Sequence, residues 1–457
     1  MSPESCPAFC LGEYRYAYPG FYRRKNHRPV IAFCVSHYVC PVSAIVVWGC
    51  GLADCREVFR CGQRIGCFYR FAADAVRYYL FSDMALGATV LLGMLLGQKK
   101  IRECSQVIGA ATAMFLLLGV ISTGIFLIFS ETFSVWLHAP AEAFVQTSSY
   151  IRICGGGAVF IVVYNVLGSV FRGLGNSRIP LFTVAVATLL NIAGDYILVA
   201  VFHMGAAGAA VATILAQAVS VIVSLLLVKH IGMTVSFSLS DIGFHVETIK
   251  KMVRIGLPVA AQDLLVGISF LIIMAIVNQF GVVASAGVGI AEKLCGFIML
   301  VPIAFEQGLA SVIAQNYGAG NFRRAEKILA HCIFVSFLCG IILGYIAFYQ
   351  GIPLSRLFSD ELAVCEASAA YLKGYGIDCL LTAFLFCFIG YFNGCARTGF
   401  VMLQGIIGAF LIRAPLSYLF SIWSGGSLFM ISLATPCSSF FQIILCIICF
   451  IKWRTEA

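Results

Sequence analysis

Long apolar windows separated by short polar loops set the pattern of this chain. Runs of at least about 18 residues with few charges recur around 106–129, 179–201, 208–228, 264–280 and 431–451, each long enough to cross a hydrocarbon layer of about 30 Å as a helix. They are continuously apolar rather than strictly alternating, which excludes a membrane β-barrel. From Gly97 onward the pattern predicts helices at 106–129, 147–170, 179–201, 206–228, 255–279, 286–313, 327–349, 367–391, 399–422 and 428–451. Before Gly97, one run at 30–53 predicts a first span, and a second starts late, near 72–80, and ends by 96. The total is twelve spans.

The chain also repeats itself. The stretch from Phe171 to Leu198, FRGLGNSRIPLFTVAVATLLNIAGDYIL, returns in degenerate form 221 positions later, with Phe171-Arg172-Gly173 matching Phe392-Asn393-Gly394. At the same offset Tyr150 matches Tyr371, and Gly87-Ala88-Thr89 with Gly97 match Gly308-Leu309-Ala310 with Gly318. A duplication of half the chain, with six spans in each copy, means that both halves enter the membrane from the same side. The fold expected is therefore an all-α polytopic membrane protein, with two homologous, parallel six-helix bundles. Residues 1–80 read as a divergent N-terminal segment, 81–228 as the rest of the first bundle, 229–254 as a cytoplasmic linker with a short surface helix, and 255–457 as the second bundle.

Loop charges orient the spans. Lys99, Lys100 and Arg102 follow span two, Arg172 and Arg178 span four, Lys229 span six, Arg323, Arg324 and Lys327 span eight, and Arg397 span ten; Lys452 and Arg454 close the chain. The odd loops at 130–146, 202–205, 280–285 and 423–427 hold no Lys or Arg. By the positive-inside bias both termini lie in the cytoplasm and the protein sits in the plasma membrane, the inner one where a cell has two. Two loops depart from the rule: the one carrying Arg356 beside Asp360 and Glu361, and the one after span one with Arg56, Arg60, Arg64 and Arg70.

Composition adds little beyond this. Of 457 residues 61% are hydrophobic and 11% charged, against about 25% charged in ordinary globular chains. The net charge of +9 is spread over loops rather than gathered in a patch with interleaved aromatics, so nucleic acid is not the partner; the bilayer is. The 20 cysteines include no array at metal-ligand spacing, and those inside spans act as small hydrophobes. No phosphate-binding lysine loop is present, so no ATPase is built into the chain, and no prosthetic group is expected.

Residues 171–182 (FRGLGNSRIPLF), 191–198 (NIAGDYIL), 256–262 (GLPVAAQ) and 314–327 (AQNYGAGNFRRAEK) together resemble the multidrug and toxic compound extrusion family, and 377–381 (IDCLL) and 392–398 (FNGCART) resemble that family's tenth helix and its end. The resemblance runs from about residue 85 to 451. It implies a monomeric secondary antiporter of two six-helix bundles, which moves cationic, amphipathic organic compounds out while Na⁺ or H⁺ moves in. Residues 1–80 depart from it, lacking the cation-site Asp and the glycine-rich loop that the family carries there. Their dense Cys and Arg are what translation in a wrong frame produces, and an upstream frameshift or a mispredicted start is the reading adopted for this segment.

An ionisable side chain inside a span is costly and marks a pathway. On that ground Asp263, Glu292, Asp378 and Asp195 are the candidates for binding cation or substrate. Asn191 joins them because it lies four residues before Asp195 on one helical face. Tyr375 and Asn393 share a helix with Asp378 and support it, and Arg413, the one basic residue of its span, is expected to pair with an acid. No metal is expected beyond a transported Na⁺. Pro180 and Pro258 fall in first helical turns, where a missing N–H is harmless; Pro302 and Pro415 are interior and kink their helices. The plain alternative for Asp378 and Asp195 is an interhelical hydrogen bond that only holds the bundle together, and for Asp263 a polar residue at the headgroup boundary.

Two other functions fit the same outline. A flippase for lipid-linked precursors or polysaccharides would line its cavity with Arg or Lys, and a membrane-integral enzyme would need His, Asp or Cys residues converging in a span. The seven His residues are scattered, which disfavours the enzyme.

Overall fold

A computed structural model describes residues 81–136, 141–231, 235, 237 and 239–456. The first span expected at 30–53 and the aberrant segment 1–80 lie outside the described residues. Those described form helices α1 (Phe81–Gly97), α2 (Ile101–Ile128), the short α3 (Ser130–Trp136), α4 (Ala141–Gly156), α5 (Ala158–Gly173), α6 (Arg178–Asp195, continued by a π turn at Tyr196–Val201) and α7 (Gly205–Ile231). After a 3₁₀ turn at Leu239–Asp241 come α8 (Val246–Asn278), α9 (Val282–Gly318), α10 (Phe322–Tyr349), the short α11 (Gly351–Ser355) and α12 (Leu362–Gly394). The last span-length rods are α13 (Thr398–Ile406), which passes through a π turn at Ile407–Arg413 into α14 (Ala414–Trp423), and α15 (Leu428–Ser432) with α16 (Ala434–Glu456). Among the described residues nine rods are long and apolar enough to cross a membrane, a tenth is the bent pair α4 and α5, and α1 is a shorter apolar helix. The second to twelfth expected spans are all accounted for.

The expected boundaries need four corrections. The span predicted at 147–170 is two helices meeting at 52°, because three glycines at 155–157 leave the backbone free to turn. Gly157 lies against Ile214 of α7, where no side chain would fit. The linker predicted at 229–254 is shorter, since α7 runs to Ile231 and α8 begins at Val246. Lys250, Lys251 and Arg254 made that start resemble a loop, but they line one wet face of a helix extended into water. Pro258 consequently lies in the interior of α8 rather than in its first turn. Pro415, expected to be interior, opens α14.

The duplication is visible in the backbone. α1 and α9 end on a left-handed residue, Lys99 (φ 63°) and Gly320 (φ 71°), and α5 and α12 are followed by Gly175 (φ 79°) and Ala396 (φ 56°). The next N–H in each case reaches back over the helix end: Lys100 to Leu95 O and Asn321 to Asn316 O at 3.0 and 2.9 Å, Asn176 to Phe171 O and Arg397 to Phe392 O at 2.9 and 2.8 Å. This wrapping satisfies carbonyls that a helix end leaves open. All four ends lie where Lys99, Lys100, Arg178, Arg323, Arg324 and Arg397 cluster, here termed the basic end.

The halves meet at that basic end along α1 and α9. A β-carbon on Gly173 would meet Thr89 and Leu92, and one on Gly394 would meet Ala310 and Ile313, the same contact 221 residues on. Between halves, Ser311 Oγ donates to Arg172 O at 2.5 Å and Gln315 Nε2 to Gly173 O at 3.1 Å. In the second half α9 and α12 form the centre: 56% and 67% of their most apolar windows are buried, against 28% in α2, α6, α7 and α10. α10 lies close on α12 because Gly340 and Gly344 face the carbonyls of Cys379 and Gly376, as their four-residue spacing led us to expect. Outward-facing leucines and isoleucines such as Leu215, Ile222 and Leu226 are exposed, as lipid-facing side chains are.

Candidate functional site

The candidate residues fall into three groups. The largest lies inside the second half. Glu292 projects from α9 and Asp378 from the middle of α12, with Tyr371 and Tyr375 of α12 two turns and one turn before Asp378. Glu292 acts electrostatically on both tyrosines and on Cys295, and Cys295 in turn feels Asp378 and Cys379. The tyrosine rings stand 5.6 Å apart and tilted. Asp378 is buried, accepts a hydrogen bond from Ser439 of α16, and keeps Oδ1 without a donor. Glu292 keeps some accessible surface, and its Oε1 is enclosed and unpartnered.

Arg413 enters this group from the last position of the π turn. Its charge acts on Asp378, Tyr371 and Tyr375. The expectation that it pairs with an acid is corrected: no carboxylate lies within salt-bridge distance of it among the described residues. Instead its Nη1 donates to Ser269 Oγ at 3.3 Å and its guanidinium stands 4.6 Å over the Phe270 ring. A planar cation with a weakly held hydration shell suits that apolar seat. The group therefore holds two acids, one base and two aromatic hydroxyls, with acceptor oxygens left open on both acids.

The second group, in the first half, is Asn191 and Asp195 on α6. Both are buried, Asn191 Nδ2 donates to Thr213 Oγ1 of α7 at 3.3 Å, and Asn191 Oδ1 has no donor. Asn165 of α5, also buried, donates to Ile161 O of its own helix at 2.8 Å. The π turn of α6 starts directly after Asp195, and that of the equivalent span ends on Arg413. Such turns are rare and gather at functional positions, and here one adjoins a buried acid and the other ends on a buried base.

Asp263 joins neither group. It stands on α8 at the seam, hydrogen-bonded to Asp83 of α1 and within electrostatic reach of Glu306 of α9. Asn393 Nδ2 donates to Glu306 Oε1 at 3.2 Å, so Asn393 supports Glu306 and not Asp378, about four turns away. Asp83 and Glu306 were not singled out in the sequence. Glu306 carried the same signal as Glu292, an acid in an apolar run; Asp83 followed the charge-rich stretch before 80 and resembled a boundary residue. Pro302 is interior to α9, one turn before Glu306.

No three His, Cys, Asp or Glu side chains converge at metal-binding spacing among the described residues. What the arrangement offers is negative field inside a helical bundle, in three places, with acceptors open to a cation or a proton.

The MatE family model matches residues 72–197 and 258–419. The chain is 29% identical to the "Probable multidrug resistance protein YpnP" of Bacillus subtilis over 72% of its length and 74% of the relative's. It is 24% identical to the "Multidrug export protein MepA" of Staphylococcus aureus over 74% and 76%. A solved structure of a MATE protein in complex with MaD3S superposes with a TM-score of 0.87 at 18% identity, covering 94% of this chain and 95% of that one. The family model accounts for more than half of the residues in two blocks, one in each half, and the chain therefore belongs to the MatE family, the multidrug and toxic compound extrusion transporters.

Proposed function

We propose that this protein is a secondary antiporter that exports organic cations or drugs across the plasma membrane in exchange for Na⁺ or H⁺. The observation that carries the reading is the Glu292, Asp378, Tyr371, Tyr375 and Arg413 group within the second half. Two carboxylates there have unpartnered oxygens inside a bundle, where an ionised acid strongly attracts a single positive charge. A coupling ion and an organic cation can compete for that one field, which is what exchange requires. Arg413 offsets part of the negative charge, and the tyrosine rings offer faces on which an organic cation can rest. Acids outnumber bases in the group, which favours cationic cargo over the anionic headgroups of lipid-linked precursors. The names of the relatives, a multidrug resistance protein and a multidrug export protein, support drugs as the cargo.

The test is transport in sealed vesicles of reconstituted protein loaded with a fluorescent organic cation. Efflux driven by an imposed Na⁺ or pH gradient, and absent from empty vesicles, is expected; movement without either gradient would refute antiport.

A further inference from the structure

The seam between the halves holds a site that the transport reading does not use. Asp83 comes from the first half and Asp263 and Glu306 from the second, and Asp83 and Asp263 are hydrogen-bonded carboxyl to carboxyl. Two carboxylates cannot bond in that way unless one carries a proton. Asn393 is buried completely; its Nδ2 donates to Glu306, while Oδ1 of the same amide has no donor. Asp83, nine-tenths buried, likewise leaves Oδ2 without one. Every open atom of these residues is an acceptor oxygen, so the missing partner brings hydrogens or positive charge. The carboxyl-to-carboxyl bond already requires one proton, and the open Asn393 Oδ1 lies beside an acid that can carry a second. A protonated Glu306 would donate to Asn393 Oδ1 and close an acid–amide pair already half made.

The basic groups on the helices packed around the site are engaged or distant. Arg172 of α5 donates to Ser169 Oγ at 2.9 Å, Arg254 of α8 is exposed, Arg413 is held by Ser269 and Phe270, and Lys99 and Arg323 lie beyond the helix ends. On α12 the titratable group within electrostatic reach of Glu306 is Cys387, and Tyr391, two residues before Asn393, packs its ring on Phe392 and Phe450. The site stands above the glycine contact of the seam: Asp83 precedes Gly93 by ten residues and Glu306 precedes Ala314 by eight, about 15 and 12 Å along their helices. Asp263 and Glu306 retain some accessible surface, through which a proton can arrive and leave.

We propose that Asp83, Asp263 and Glu306, with Asn393, form a proton-binding site that bridges the two halves. One proton is shared by Asp83 and Asp263, and a second sits on Glu306 facing Asn393 Oδ1. Only O–H bonds form and break, and the protons pass to water. Protonated, the site ties the halves together above the glycine contact. Deprotonated, it places like charges on facing helices, and their repulsion in a poorly solvated seam parts them.

The test uses the full chain in lipid nanodiscs, with spin-labelled non-cysteine amino acids at Phe202 and Trp423, exposed equivalent residues of the two halves at the end opposite the basic one. One short distance is expected in acidic buffer, with lengthening and broadening in alkaline buffer. Asp83→Asn, Asp263→Asn and Glu306→Gln are each expected to shrink that shift, and Asp83→Asn with Glu306→Gln to abolish it, leaving the short distance throughout. Glu292→Gln, in the other group, is expected to retain the shift. Should one seam variant not fold, the other two report the same quantity. A wild-type distance that ignores pH, or a shift that survives in the seam variants, overturns the proposal. Neither result bears on whether the vesicles transport cations.

Discussion

Gly97 and Gly318, equivalent residues of the two halves, make the same contact in opposite directions. A β-carbon on Gly97 would strike the Gln315 carbonyl of α9, and one on Gly318 the Met94 carbonyl of α1, the equivalent of Gln315. Between them Gly93 lies against Ala314, its own counterpart, with 2.9 Å from the β-carbon it lacks to that of Ala314. A residue meeting its own equivalent marks a two-fold axis, and it runs through α1 and α9 as parallel repeats require.

Replacing Gly97 by Ala is therefore expected to force the halves apart, at a cost of roughly 1–3 kcal/mol for overpacking. Gly124→Ala, where no neighbour lies within 4 Å of the new carbon, is expected to be neutral or mildly stabilising. Thermal unfolding in detergent compares the two. Equal midpoints would show that the seam tolerates the methyl group and that the contact is looser than described.

Ala396 holds a left-handed conformation where its equivalent is Gly175. An L-residue with a β-carbon pays roughly 1–2 kcal/mol there, part of which glycine returns through its looser unfolded chain. Ala396→Gly is expected to stabilise the protein by roughly 0.5–1 kcal/mol net. An unchanged or lowered unfolding midpoint would refute this account of the α12 end.

Much of this fold was legible in the sequence because spanning a membrane demands it. Continuous apolar runs gave eleven of the helices, and FRGLGN against FNGCAR gave the duplication, since each stretch must wrap the same helix end. Polar residues hid the rest. Lys250 and Arg254 disguised two turns of α8, and the π turns beside Asp195 and Arg413 leave no periodic trace because each occupies one turn. Asp378, Glu292 and Tyr375 were legible one by one, as polar residues inside spans, but not as a group, because α9 and α12 are far apart in the chain. Asp263 was legible in the same way, but its partner Asp83 was not, since it lies in the other half and no spacing along the chain relates them.

Asp378→Asn is expected to abolish coupled efflux of a fluorescent cation while leaving the amount of protein in the membrane unchanged. Asparagine keeps the shape and the Ser439 contact but removes the charge. Glu292→Gln and Asp263→Asn are measured alongside, under Na⁺ and pH gradients separately. Wild-type rates in Asp378→Asn would assign the residue to structure, and loss of response to one gradient alone would name the coupling ion.

Arg413→Met is expected to destabilise the protein more in the presence of Asp378 than beside Asp378→Asn, because the first leaves the acid without its nearest positive charge. A double-mutant cycle read by thermal unfolding is expected to give a coupling of about 0.5–3 kcal/mol. A coupling of zero would mean that Arg413 serves Phe270 and Ser269 only.

Orientation follows from the basic end. On a background freed of native cysteines, Val282→Cys, at the first residue of α9 and 84% exposed, is expected to react with an impermeant thiol reagent from outside. Arg323→Cys is expected to react from inside. The reverse result would invert the topology, and labelling of both from one side would break the helix count.

α8 is shared between the halves. Met252 is fully buried in the first half's core, with Ile249 and Val253 packed against it, and Gly256 lies against Met84 of α1. Ile273 and Val277, farther along the same helix, belong to the second half's core. Pro258 stands between these attachments, with no N–H to bond the turn before it. The linker before α8 is itself pinned, with the Asp241 carbonyl seated on Gly109 of α2. Any swing of one bundle against the other is thus taken up as flexure within α8, and Pro258 is its fulcrum.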